Sequence, residues 1–167
     1  MSLVRTFLPQ FEHEMGTTRA VLAVVPEQDA SWRPHPKSSS LGDLASHLVT
    51  VPGWTPFVLR EPELDLGLPA NAAISRTPFT TKAELLQRFD TNVREAKSKL
   101  EAASDETLKE TWSLKTRGTT VFSLPRIAVL RTFVLSHMIH HRGQLSVYLR
   151  LRDVPLPSIY GPTADTH

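Results

Sequence analysis

Cysteine is absent from the 167-residue chain. Disulfides, thiolate zinc sites and thiol nucleophiles are therefore excluded, and the lack fits a reducing compartment. Long apolar runs are missing as well: no stretch approaches the roughly 18 apolar residues of a membrane-spanning helix. The opening MSLVRTFLPQFEHEM has no continuous apolar segment and does not read as a signal peptide. A cytoplasmic protein with no membrane partner is the expectation. Nor is there an excess of one charge. Nineteen Lys and Arg face seventeen Asp and Glu, a net charge of +2. The most basic-looking stretch, VREAKSKLEAA, interleaves glutamates with its lysines, as a solvated helix face does. Charge thus gives no reason to expect a nucleic-acid partner.

What is present is an ordinary globular composition, 40% apolar and 22% charged. At this length it reads as one domain covering residues 1–167. Leu8, Phe11, Met15, Thr18, Leu22 and Val25 recur at spacings of three and four, which predicts a first helix between Leu3 and Val25. Pro9 sits in its first turn or kinks it. VPEQDASWRPHPKSS breaks the pattern, and Trp32 argues that this loop is ordered. Ser40 and Asp43 form a capping-box pattern opening a second helix, whose inner face reads Leu41, Leu44, His47, Leu48 and Val51. Pro52 and Gly53 end or bend it. Residues 60–79 show no strong period and read as a long connection, functional or concealing an element. Thr81 and Glu84 repeat the capping pattern before a third helix reaching about Ala103, with Leu85, Leu86, Phe89, Val93, Ala96 and Leu100 inward. SDETLKE adds a short helical turn. TWSLKTRGTTVF alternates around Gly118, a marginal hairpin. The fourth helix is expected from Leu124 to Arg152, with Ser123 as N-cap and Pro125 in the first turn. Four helices and no convincing sheet predict an all-α four-helix bundle with long connections.

The fourth helix carries the chemistry. SHMIHHRGQL places His137, His140 and His141 within five positions. Residues four apart lie on one helix face, so His137 and His141 can direct two imidazoles at one ion. Their face also carries Leu130, Phe133, Gln144 and Tyr148. Two imidazoles on an apolar face are costly unless something satisfies their nitrogens, and a divalent cation does so. Hydrogen bonds to buried carbonyls are the plainer alternative. Spacing by itself leaves the 137/140 pair open beside 137/141. His47, among leucines on the second helix, is the candidate third ligand, and a hydrogen-bonded core histidine is its plainer reading. His35 and His13 have no partner at ligand spacing. No carboxylate follows the paired histidines as in a zincin helix: Met138 comes after His137 and Arg142 after His141. Glu12, His13, Glu14 and Asp165 are the weak candidates for a base. Gln144, one turn past His141, can orient a ligand or make a polar contact. Trp54 packs in the core or walls a pocket, Arg142 and Arg150 pair with acidic residues or the tail, and Tyr160 docks on the bundle.

DASWRPHPKSSSLGDLASHLVTVPGW and LSHMIHHRGQLSVYLRLRDVPLPSIYGPTAD together resemble the DinB-like (DinB/YfiT) superfamily of damage-inducible bacterial proteins, with HHRGQL, YLR and YGP as a combined signature. The resemblance covers most of the chain. It implies a four-helix bundle, often a homodimer, that holds one divalent metal on three histidines. Carried over by position, the ligands are His47, His137 and His141. It implies nickel or zinc, with manganese or iron also compatible. Relatives include thiol-dependent transferases and isomerases and hydrolase-type members. The functional expectation is therefore a metal-dependent enzyme acting on a small molecule, with a low-molecular-weight thiol as one candidate partner. The alternative is a non-catalytic, stress-related bundle whose metal is structural.

Overall fold

The computed structural model describes residues 2–71 and 77–166. Helix α1 spans Leu3–Ala23. Its first turn is fixed from a distance: Asp105 accepts hydrogen bonds from the Ser2 hydroxyl at 3.0 Å and the Leu3 N–H at 2.8 Å. Those are N-terminal groups that the helix cannot satisfy itself. Pro9 falls inside α1, and the helix continues through it. The buried stripe is Phe7, Phe11, Glu14, Met15, Thr18, Val21 and Leu22, so Phe7 rather than Leu8 leads the apolar face.

Helix α2 runs Leu41–Thr50 and α3 runs Trp54–Arg60, with a 3-10 turn over Val51–Gly53 between them. Pro52 and Gly53 thus lie in the turn that follows the end of α2 at Thr50 and leads into α3. Helix α4 spans Lys82–Ala102 and buries Leu85, Phe89, Ala96 and Leu100. Thr81 caps it by accepting from the Glu84 N–H at 3.2 Å. The reciprocal half of the expected box is missing, because Glu84 takes its hydrogen bond from the Thr80 hydroxyl. SDETLKE forms the short helix α5, Asp105–Lys109, capped by Ser104. The last rod consists of α6 (Arg126–Val129), a π-helical stretch (Leu130–Ser136) and α7 (His137–Arg150).

The all-α expectation is overturned. A three-stranded sheet of order β1-β2-β3 lies at one end of the helices. Strand β1 is Glu63–Asp65, β2 is Thr111–Thr116 and β3 is Thr119–Pro125. The hairpin around Gly118 is present, with β2 and β3 antiparallel. Strand β1 joins β2 in parallel, Leu64 opposite Leu114. Parallel neighbours need a long crossover, and here the crossover contains α4 and α5. Three residues are too few to show alternation, so β1 was hidden within the link of residues 60–79. Residues 72–76 of that link lie outside the described residues. The hairpin also moves the start of the last helix. Leu124 and Pro125 belong to β3, and the Ser123 hydroxyl bonds to that of Ser113 at 2.7 Å instead of capping a helix.

The hairpin turn places Arg117 at φ 51° and Gly118 at φ 78°. Two left-handed residues in succession give a turn whose twist suits the flanking strands. For Arg117 that backbone is strained. Asp65 offsets the strain: its carboxylate accepts from the N–H groups of Gly67 (2.7 Å), Arg117 (2.8 Å) and Gly118 (2.6 Å).

Helices α1 and α2 each pack against both α4 and α7, which makes a ring in the order α1–α4–α2–α7. Its interior holds Phe7, Phe11, Leu22, Leu48, Phe89 and Leu145, and Trp112 is fully buried toward the sheet. Each such side chain contributes roughly 1.5–3 kcal/mol by leaving water. Arg126 joins the bundle to the sheet end. Its guanidinium donates to the Val58 and Glu61 carbonyls and pairs with Glu110 at 3.0 Å. Among the described residues, no helix is long and apolar enough to cross a membrane.

Candidate metal centre

Two elements supply the histidines, and each is fixed in place locally. Helix α2 starts at a complete capping box. Ser40 Oγ accepts from the Asp43 N–H at 3.1 Å, and Asp43 accepts from the Ser40 N–H at 3.4 Å. The loop ahead of it supplies further acceptors: the Leu41 and Gly42 N–H groups donate to the Trp32 and Ala30 carbonyls, both at 2.8 Å. The start of α2 is thus set, and with it the position of His47 nearly two turns on.

Helix α7 is locked to α1 through Arg142, which is only 1% exposed. Its guanidinium pairs with Glu14 at 2.7 Å and donates to the Glu14 carbonyl and the Thr18 hydroxyl, both at 3.2 Å. The Tyr160 hydroxyl completes the group, 2.5 Å from Arg142 and 2.8 Å from Glu14. Burial, and then the Glu14 carboxylate, push the Tyr160 phenol above its ordinary 10.0. The deep face of α7 is therefore Met138, Arg142, Leu145 and Leu149. His137 and His141 lie on its flank, half-buried, facing α2 rather than the bundle interior.

On that flank the imidazoles of His47, His137 and His141 converge. One ring nitrogen from each lies within 4.8 Å of those of the other two. The ring centres are 5.0 Å apart for His47 and His137, 4.6 Å for His47 and His141, and 4.5 Å for His137 and His141. His47 Nε2 is 2.7 Å from His137 Nε2. Two nitrogens on a tetrahedral ion with bonds of about 2.0–2.1 Å stand roughly 3.3 Å apart. A cation would therefore open this contact by about half an ångström.

Burial, then the neighbouring His141 and His140, hold the His137 pKa below its ordinary 6.5. His141 is also lowered, by burial first and by His140, against an opposing hydrogen bond from Gln144. Both are consequently neutral at pH 7, the form in which imidazole binds a metal. That contact is 2.7 Å from His141 Nδ1 to Gln144 Oε1. An amide oxygen only accepts, so Nδ1 carries the proton and Nε2 is left with its lone pair. The donor set of three imidazole nitrogens suits zinc, nickel and iron better than magnesium or calcium, which prefer oxygen.

The remaining sequence candidates have other partners. Glu14 is engaged with Arg142 and Tyr160. Glu12 pairs with Lys97 at 2.5 Å, Asp165 with Arg150, and His13 stacks on the Tyr160 ring. His35 accepts from the Lys37 N–H within its own turn. Trp54 is partly buried against the core. His140 is exposed, its ring centre 5.0 Å from that of His141. The sequence reading missed the π-helical stretch running directly into His137. Its extra residue per turn changes which side chains share a face, and such stretches recur at functional sites. The spacing of apolar residues carries no clear sign of it.

Fold and site together define a protein of packed helices and a three-stranded sheet that carries an imidazole cluster suited to a cation. The chain belongs to the DinB superfamily, whose sequence model matches residues 10–145. It is 24% identical over 162 residues to an uncharacterized Bacillus subtilis protein, YrdA, with 95% of this chain and 89% of that protein covered. Two crystal structures share the fold, both at a TM-score of 0.70 and 20% identity over 92% of this chain. One is the DinB-like protein YjoA of Bacillus subtilis, 97% covered, and the other a DinB-like protein of Bacillus cereus, 95% covered.

Proposed function

We propose that His47, His137 and His141 hold one divalent cation, nickel or zinc, and that the protein is a metal-dependent enzyme acting on a small molecule by hydrolysis or thiol transfer. The carrying observation is the convergence of three imidazole nitrogens within 4.8 Å on a half-buried flank. A closed structural site would add a fourth protein ligand, and among the described residues no fourth His, Asp or Glu belongs to the cluster. A cation held by neutral imidazoles keeps its full charge and supplies Lewis acidity to a bound water or thiol. Gln144 holds His141 in the tautomer that presents Nε2. The reading includes a cytoplasmic homodimer, on family resemblance and the lack of cysteine.

The test is elemental analysis of the purified, untagged protein by mass spectrometry, beside His47→Ala and His137→Ala/His141→Ala variants. About one nickel or zinc per chain, lost in both variants, supports the site and justifies screening hydrolysis and thiol transfer with that metal. No bound metal, and no uptake of nickel, zinc or manganese on addition, sinks the proposal. A metal that cannot be removed without unfolding, and that no thiol or small anion perturbs, favours a structural role instead.

A further inference from the structure

A cavity of about 360 Å³ lies between the C-terminal end of α2, α3 and the middle of α4. None of the clustered histidines lines it. Its volume falls in the range of small-molecule sites. Val49, Pro56 and Phe57 supply an apolar wall, while Arg60, Arg88 and Glu95 supply the charges. Among the lining residues two guanidiniums stand against one carboxylate, and Arg60 is also paired with Glu61 just outside.

Arg88 brings its guanidinium to the cavity. Its Nη2 donates to the Pro78 carbonyl at 3.2 Å, but its Nε is shut away from solvent with no acceptor. A guanidinium offers five donors, and an Nε that no water reaches is out of a ligand's reach as well, so the Nη groups are the ones an anion in the cavity would meet. Asn92 is already committed, donating to the Val49 carbonyl at 2.8 Å. It fixes one wall of the cavity and leaves the ligand's charge to the arginines. Arg60 lies over the Phe57 ring at 5.8 Å, which orients its planar fork beside the apolar wall. Its Nε bonds to Glu61 at 2.7 Å, so it keeps donors to spare. An anion with a compact apolar body matches this wall: its charge meets the guanidinium forks and its body covers Pro56 and Phe57.

We propose that this cavity is a second ligand site, separate from the histidine cluster, that takes a small organic anion with an aromatic or branched apolar body, anchored by Arg88. The proposal is independent of whether the histidines hold a metal.

The test is a two-dimensional amide NMR titration of the full chain with benzoate, phenyl phosphate and the neutral benzyl alcohol. The expected result is saturable shifts at amides near Val49–Phe57 and Arg88–Glu95 with at least one of the two anions. Binding should weaken at least tenfold for benzyl alcohol and at least tenfold in Arg88→Gln, and be unchanged in His137→Ala/His141→Ala. Whichever anion binds more tightly identifies the head group as carboxylate or phosphate. If Arg88→Gln loses its dispersed spectrum, the exposed Arg60→Gln replaces it, with at least a threefold loss expected. No saturable shifts, equal affinity for benzyl alcohol, or shifts centred on His137–Gln144 and lost in the histidine variant would each overturn the proposal.

Discussion

Gln144 Oε1 accepts a hydrogen bond from His141 Nδ1 at 2.7 Å, and this contact leaves Nε2 as the nitrogen of His141 with a lone pair to offer an ion. Replacing Gln144 by Ala frees the ring to change tautomer and to turn. Nickel or zinc affinity, measured by competition with a chelator, is expected to fall about tenfold or more. The exposed position leaves the melting temperature of the metal-free protein almost unchanged. An unaltered affinity would show that the contact plays no part in holding the ion.

Arg142 and Glu14 form a charge pair almost wholly out of water, with the Tyr160 hydroxyl on both. Arg142→Met strands the Glu14 carboxylate in the interior. A loss of about 3–5 kcal/mol in urea unfolding is expected. Tyr160→Phe removes only one phenolic partner from the group and should cost about 1 kcal/mol. If the two variants lost equal stability, the pair would not be the tie that holds α7 to α1.

Asp65 is the acid-sensitive joint of the sheet. Hydrogen bonds from backbone N–H groups, that of Gly118 foremost, hold its carboxyl below the ordinary 3.8. A carboxylate with a depressed folded pKa contributes stability that is fully present above the unfolded pKa and lost as pH falls through the folded one. Asp65→Asn should therefore lower the urea midpoint at pH 7, and the gap to the unaltered protein should narrow below about pH 4. A gap independent of pH would show that the charge is irrelevant and only shape matters.

Two glycines should respond in opposite directions to alanine. A Cβ on Gly67 would sit 2.5 Å from the Arg117 amide nitrogen and 2.9 Å from its Cα. Backbone cannot step aside as a side chain can, so a loss of roughly 1–3 kcal/mol is expected. Gly143 lies inside α7 with nothing within 4 Å of the position. There alanine should add up to roughly 0.5–1 kcal/mol by restricting the unfolded chain. Thermal unfolding of both variants gives the signs directly.

The helices were readable because their signals are local. Ser40 with Asp43, and Thr81 ahead of Lys82, mark starts that the backbone needs capped, and threefold and fourfold apolar spacing marks a buried face wherever α-helical geometry holds. Where that geometry fails, the reading fails too. The π-helical stretch Leu130–Ser136 departs from α-helical geometry, and Leu124, which local signals assign to the last helix, pairs with Trp112 in the sheet. Strand β1 could not be read at all. Glu63, Leu64 and Asp65 become a strand only because β2 arrives beside them from nearly fifty residues further along the chain.

The site divides in the same way. The sequence alone determined that His137 and His141 share one helix face, because residues four apart on a helix must. It also placed His47 on an apolar face where its nitrogens need partners. Only the tertiary structure decided that α2 lies against α7, so that the three rings meet within 4.8 Å. It decided as well that Arg142, one residue from His141, turns the other way to Glu14 and Tyr160. Successive residues on a helix point about 100° apart. A helix seated between two neighbours can therefore anchor itself on one and offer its chemistry to the other, and which neighbour receives which side chain is set by packing between distant segments.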